Sequence, residues 1–207
     1  QVLLMDEPLS NLDALLRLQM RAELKRLHQE IRSTTVYVTH DQVEALSLGE
    51  RIAVMKDGKV IQCDVPARVY DAPANRFVGS FIGSPPMNFL QGSLRRRNGG
   101  GVVEVAEVQV PLAGGWADGV REGNVLLGIR PEHITVSRQP QSGALPAQVV
   151  VLEPIGPQTL LTVRAAGETV KVTAPVDFHA DAGARVWLRF DPARLRLMDP
   201  ATGTALA

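Results

Sequence analysis

Four consecutive apolar residues, Val2-Leu3-Leu4-Met5, follow Gln1 with no cap or turn ahead of them. An unbroken apolar run of that length predicts a buried strand, as if the sequence began in the middle of a fold. Residues 6–13 read as a polar turn. Leu16, Met20, Leu24, Leu27 and Ile31 then recur at spacings of 4, 4, 3 and 4, which predicts an amphipathic helix over residues 14–31. Arg17, Arg21, Lys25 and His28 fall off that apolar stripe and are expected to stay in water. Thr35–Thr39 is β-branched and aromatic and predicts a second strand. Asp41 with Glu44 three residues on is an Asp-headed capping box, and Gly49 supplies a left-handed stop to the helix between them. Arg51–Lys56 and Lys59–Gln62 flank Asp57-Gly58, a strong hairpin signal. Two short helices are predicted over residues 67–71 and 74–82. Strand, helix, strand, helix and hairpin in that order predict part of an α/β layered sheet.

The punctuation changes near Gly83. Residues 1–83 hold 4 of the 18 glycines and residues 84–207 the other 14. Pro85 and Pro86 are adjacent and cannot extend a helix, so a domain boundary is expected there. Beyond it, short strands are predicted over 89–96, 102–110, 125–129, 134–137, 147–153, 159–164, 169–173, 185–190 and 194–198. Many short strands with Gly/Pro turns predict a small barrel or sandwich of OB-like type. Arg95-Arg96-Arg97, running into Asn98-Gly99-Gly100-Gly101, reads as a wet strand end before a flexible loop.

Composition narrows the function classes. The 207 residues are 45% hydrophobic and 21% charged, which fits an ordered globular chain. Lys+Arg and Asp+Glu are each 22, so no global field is available to hold a polyanion. Aromatics are only 4%, too sparse in the second half for a base-stacking platform, and a nucleic-acid partner is not expected. Trp116 and Trp187 read as core or interface residues. No apolar run approaches the roughly 18 residues needed to span a bilayer. The single Cys63 suits a reducing compartment, and one Cys with four scattered His gives no structural zinc set.

Three segments carry candidate chemistry. Asp6 and Glu7 follow an apolar strand, at the edge where open α/β sheets bind ligands. Alternation along a strand sends adjacent side chains apart, so the two carboxylates would serve different partners. One could hold Mg²⁺ through water and the other could orient a nucleophilic water. Taken alone, the pair also reads as a plain strand exit. Asp13, in Ser10-Asn11-Leu12-Asp13, reads equally as the N-cap of the long helix. His40 follows the second strand. Two parallel strands joined by one crossover helix would bring Glu7 and His40 to one sheet edge.

The segment Leu4-Met5-Asp6-Glu7-Pro8-Leu9-Ser10-Asn11-Leu12-Asp13 resembles the Walker B and D-loop of ABC transporter ATPase subunits. Tyr37-Val38-Thr39-His40-Asp41-Gln42-Val43-Glu44-Ala45 is similar to their H-loop with its switch histidine. The likeness continues through Arg51–Gln62, Phe77–Gly83, Ser84–Phe89 and Leu127–His133. That last set is similar to the subfamily that powers uptake of sugars, polyols or glycerol phosphates and carries a C-terminal regulatory TOBE domain. The resemblance implies an α/β, partial P-loop NTPase domain over residues 1–83 and an all-β, OB-like TOBE domain over 84–207. It implies Mg²⁺ held by Asp6 through water, Glu7 as general base and His40 at the γ-phosphate. Asp13 would act across a homodimer of subunits that binds ATP. Transmembrane permease subunits and, indirectly, a solute-binding protein would be its partners at the cytoplasmic face of the membrane.

No G-x-x-x-x-G-K-[ST] phosphate loop occurs in the sequence, nor a Leu-Ser-Gly-Gly-Gln signature. Those contacts carry most of the nucleotide binding in this chemistry. The resemblance therefore implies the C-terminal part of such a subunit, inactive by itself, with an open apolar sheet edge prone to association through residues 1–60. The rival reading is a regulatory module, with a small-ligand or partner-protein site in the OB-like half.

Overall fold

The computed structural model describes residues 2–97, 100–115 and 117–206. It forms two compact units that divide at Ala72/Pro73. The division falls earlier than the Gly83 junction expected from glycine and proline usage. The reason is that residues 76–81 form a helix whose backbone is held by the second unit, with Arg76 N–H donating to Gly203 O at 2.7 Å. Asn98, Gly99 and Trp116, to which the sequence assigned a loop and a core or interface role, lie outside the described residues.

The first unit runs β1 (Val2–Asp6), α1 (Ala14–Ile31), β2 (Thr34–Val38), α2 (Gln42–Leu48), β3 (Ile52–Lys56), β4 (Lys59–Asp64) and α3 (Pro66–Asp71). β1 and β2 pair in parallel, from Val2 opposite Thr34 to Asp6 opposite Val38, with α1 as the crossover. β3 and β4 form the expected hairpin, turning through Asp57 (φ 49°) and Gly58 (φ 73°). α1 starts where Asp13 Oδ1 accepts the Leu16 N–H at 2.9 Å, and it ends at a left-handed Arg32.

Several local expectations are revised. Val2–Met5 is a strand but not a buried one: Val2 is 62% and Leu4 73% exposed. The partly covered side of α1 runs through Arg17, Met20, Arg21, Leu24 and His28, whereas Leu16, Leu27 and Ile31 of the apolar stripe are exposed. Helical periodicity reports which side of a helix is apolar and says nothing about what lies against it. His28 is half-buried, with Nε2 3.8 Å from Glu50 Oε1, so it is not simply in solvent. Gly49 is extended (φ −70°, ψ 137°) and not left-handed. A Cβ there would crowd the backbone, standing 3.0 Å from Ala45 O and 3.1 Å from Arg51 O.

The second unit adds α4 (Arg76–Phe81) and the strands β5 (Asn88–Arg97), β6 (Gly100–Val105), β7 (Val108–Pro111), β8 (Gly123–Ile129), β9 (Ile134–Ser137), β10 (Leu145–Pro154), β11 (Gln158–Ala165), β12 (Glu168–Pro175), β13 (Arg185–Phe190) and β14 (Arg196–Met198). They build two five-stranded antiparallel sheets, ordered β12-β11-β10-β13-β9 and β14-β8-β5-β6-β7. Alternate residues such as Leu161, Val163, Val170 and Val172 of one sheet and Leu90, Leu94, Val103 and Val105 of the other meet in one core. The single strand expected over 102–110 is a hairpin, because the chain turns at Ala106 (φ 52°). No helix among the described residues is long and apolar enough to cross a membrane.

Two polar side chains stitch this unit. Buried Asn88 donates from Nδ2 to Lys171 O (2.8 Å) and to Ile129 O (3.3 Å), and its Oδ1 accepts the Lys171 N–H at 2.7 Å. The amide thus imitates one rung of a strand ladder between β5 and β12, which belong to different sheets. Arg96 is not a wet strand end. Its guanidinium donates to Ala117 O, Asp118 O and Val120 O and pairs with Asp118 at 2.9 Å, while its own N–H donates to Glu122. It gathers the loop that precedes β8.

Asn88→Ala would leave the Lys171 backbone groups without their partners in a partly buried place, where each orphan costs up to about 1–3 kcal/mol. We expect the variant to unfold at clearly lower urea, by about 2–4 kcal/mol in all. Urea unfolding followed by circular dichroism checks this; an unchanged midpoint would show the rung to be dispensable.

Candidate functional site

β1 and β2 leave their sheet at the same level. Beyond the last pair, Asp6 opposite Val38, Glu7 N–H still donates to Val38 O at 2.9 Å. Glu7 then adopts a left-handed backbone (φ 43°), uncommon for a residue with a Cβ and costing about 1–2 kcal/mol. Its carbonyl accepts from Ser10 Oγ (2.9 Å) and Ser10 N–H (3.2 Å), which stabilises the bend. The bend turns the Glu7 side chain toward the end of β2, where Oε1 lies 2.9 Å from His40 Nδ1. The structure therefore brings together the two residues that the strand–helix–strand argument placed at one edge.

Both side chains face solvent: His40 is 72% and Glu7 43% exposed. The hydrogen bond to Glu7, and then its negative charge, hold the His40 pKa above the ordinary 6.5. Such a carboxylate–imidazole pair can share a proton and orient a water or phosphoryl oxygen on its open side. Glu7, Ser10, Arg17, Thr39, His40, Asp41 and Glu44 line a small cleft of about 10 Å³, room for about one water.

The residues behind the pair were read from sequence as a capping box (Asp41, Glu44) and a solvated cation (Arg17), not as part of the site. Asp41 caps α2, with Oδ1 accepting from Val43 N–H (2.7 Å) and Glu44 N–H (3.2 Å). Its Oδ2 is 3.6 Å from Arg17, whose guanidinium also donates to Leu12 O at 3.0 Å. Glu44 departs from the expected capping box. Instead of reaching back to the Asp41 N–H, its buried carboxylate accepts from Tyr37 Oη (2.9 Å) and Thr39 Oγ1 (2.7 Å), and the Asp41 N–H donates to Thr39 Oγ1 (2.9 Å). Burial, then Glu44, drives the Tyr37 pKa upward. The available signal was two hydroxyl residues, Tyr37 and Thr39, on the same side of one strand.

Asp6 is exposed at the end of β1. Among the described residues no group of three or more His, Cys, Asp or Glu is arranged to hold a metal. One free carboxylate suits Mg²⁺, which takes one or two protein oxygens and fills its octahedron with water and phosphate. Asp13 serves as the α1 N-cap, and no hydrogen bond links it to Glu7 or His40. The second unit has a larger shallow groove, about 500 Å³, lined by Pro146, Ala147, Gln148, Arg164, Gly183 and Arg185.

Because the folded His40 pKa is raised, the pair's contribution to stability is present below pH 6.5 and is lost as pH rises through the folded value. Glu7→Gln removes the negative charge and leaves at most a weaker, neutral hydrogen bond to the imidazole. We expect it to move the His40 midpoint downward in an NMR titration of the imidazole protons; an unmoved midpoint would contradict the contact.

Comparison with known proteins adds to this geometry. Residues 83–134 match the MalK OB fold domain and residues 127–198 the TOBE domain. A Sinorhizobium fredii protein called uncharacterized ABC transporter ATP-binding protein y4oS is 45% identical over 207 residues, covering 100% of this chain and 54% of that protein. The sn-glycerol-3-phosphate import ATP-binding protein UgpC of Escherichia coli K12 is 43% identical over 203 residues, covering 98% of this chain and 56% of UgpC. The Salmonella typhi UgpC is 43% identical over 209 residues, with 98% and 56% covered. The chain thus spans about half the length of the curated relatives it matches. Along its whole length the chain is similar to ABC transporter ATP-binding proteins, and its second half matches the MalK OB fold and TOBE domain models.

Proposed function

We propose that the chain is the C-terminal part of the ATP-binding subunit of an ABC importer, in which ATP hydrolysis drives uptake of a sugar, polyol or glycerol phosphate. The observation that carries this reading is the 2.9 Å contact between Glu7 and His40 at the common exit of two parallel strands. Phosphoryl transfer to water needs an in-line nucleophile and stabilised charge, and little covalent chemistry from the protein. Glu7 orients the attacking water and takes its proton; His40, bonded to Glu7 through Nδ1, has its other ring nitrogen free to meet the γ-phosphate. Asp6 would hold Mg²⁺ through water, where the ion neutralises charge on the phosphates. Asp13 would contact the second subunit of a homodimer.

In this reading the subunit is peripheral at the cytoplasmic face, works with transmembrane permease subunits and, through them, a solute-binding protein, and needs no nucleic acid. The β unit is regulatory. Its groove between Arg164 and Arg185 supports a second reading, in which that unit takes a small ligand or a partner protein. Ligand screening against the chain separates the two.

Glu7→Gln in the full-length subunit should slow ATP hydrolysis at least about 100-fold, the usual scale of a lost general base, with ATP binding intact. Single-turnover hydrolysis and nucleotide binding measured on one preparation check this; near-normal turnover would remove Glu7 from the chemistry. The 207-residue chain itself should show no measurable ATP affinity in calorimetry, and micromolar binding would contradict the reading.

A further inference from the structure

We propose that Glu44 is a positioning residue for His40, acting through the Thr39 hydroxyl; the inference rests on the hydrolytic reading above. His40 is 72% exposed, and among the described residues its ring hydrogen-bonds to Glu7 alone. Fixing where the strand exit presents the imidazole takes more than that one bond. That task falls to the residues on either side. Thr39 Oγ1 donates to Glu44 Oε2 at 2.7 Å and accepts the Asp41 N–H at 2.9 Å, so one hydroxyl ties the backbone before His40 to the backbone after it.

Glu44 is what directs that hydroxyl. It is 3% exposed, and its Oε2 accepts the hydrogen bond of the Thr39 O–H, leaving the hydroxyl lone pairs for the Asp41 N–H. Without the carboxylate, the hydroxyl could rotate and the link across His40 would loosen. A buried carboxylate is costly to keep unless its bonds matter, and Glu44 also lines the same small cleft as Glu7 and His40. The Tyr37 hydroxyl bonds the same oxygen from two residues further back on β2 and does not reach the His40 backbone. Tyr37 therefore helps to satisfy the charge, while Thr39 transmits position.

The contrast between these two hydroxyls is the test. In the full-length subunit, Thr39→Val should lower kcat for ATP hydrolysis about 10-fold with KM for ATP within twofold. Thr39→Ser, which keeps the hydroxyl, should stay near wild type. Tyr37→Phe should lower the melting temperature but leave kcat within twofold. Glu44→Ala should match Thr39→Val in kcat; if it does not fold, the Thr39 and Tyr37 variants still decide. Unchanged kcat in Thr39→Val, or equal losses in Thr39→Val and Tyr37→Phe, would overturn the proposal. His40→Ala separates the levels. If it is impaired while Thr39→Val is not, only the role of Glu44 falls; if it turns over normally, the hydrolytic reading falls and this one with it.

Discussion

The in-register parallel pairing of β1 with β2 is the constraint on which the candidate site depends. Asp6 opposite Val38 puts Glu7 and His40 beyond the same sheet end, and the Glu7 N–H to Val38 O bond extends that register past the last pair. A slip of one residue would send every side chain of one strand to the other face and separate the two groups. The left-handed backbone at Glu7 then converts adjacency of strands into contact of side chains. Strand alternation alone would leave Asp6 and Glu7 diverging from a straight strand. The bend lets one carboxylate face the imidazole while its neighbour stays open to solvent.

Buried polar groups meet two different needs in this chain. Glu44, in the first unit, is satisfied by hydroxyls and lies beside exposed chemistry. Asn88 and Arg130, in the second, bond backbone groups and hold elements together. Arg130 is 1% exposed and donates to Gly79 O at 3.2 Å and to Ile82 O, at the end of α4. A cation suits that position, because the last carbonyls of a helix lack intrahelical donors. This explains why α4 travels with the β unit.

Element types were legible where local chemistry decides them. The bounds of α1 follow from Asp13 and the 3–4 spacing, and the β3–β4 turn from Asp57-Gly58. The hairpin at Ala106 was illegible because neither Ala106 nor Glu107 carries a turn preference, and tertiary packing of Val103, Val105 and Val110 sets the reversal. Exposure of Val2 and Leu4 does not follow from the run itself, because an apolar run reports transfer preference and not the presence of a neighbour; it accords with the open apolar edge that the resemblance implied. At the site, topology was enough to place Glu7 and His40 at one edge, while the left-handed bend at Glu7 that closes the contact carried no sequence signal. Glu44 was misread because a glutamate three residues after Asp41 has two destinations, and the hydroxyls of Tyr37 and Thr39 outcompete one backbone amide.

The Asn88 rung joins residues 83 apart in sequence. Neither sheet of the β unit can lose its order without breaking a bond that the other sheet supplies, so the two behave as one cooperative block. The Lys171 amide proton, held by a side chain of the other sheet, is accordingly a reporter of that link, and it exchanges with solvent deuterium when the link between the sheets opens.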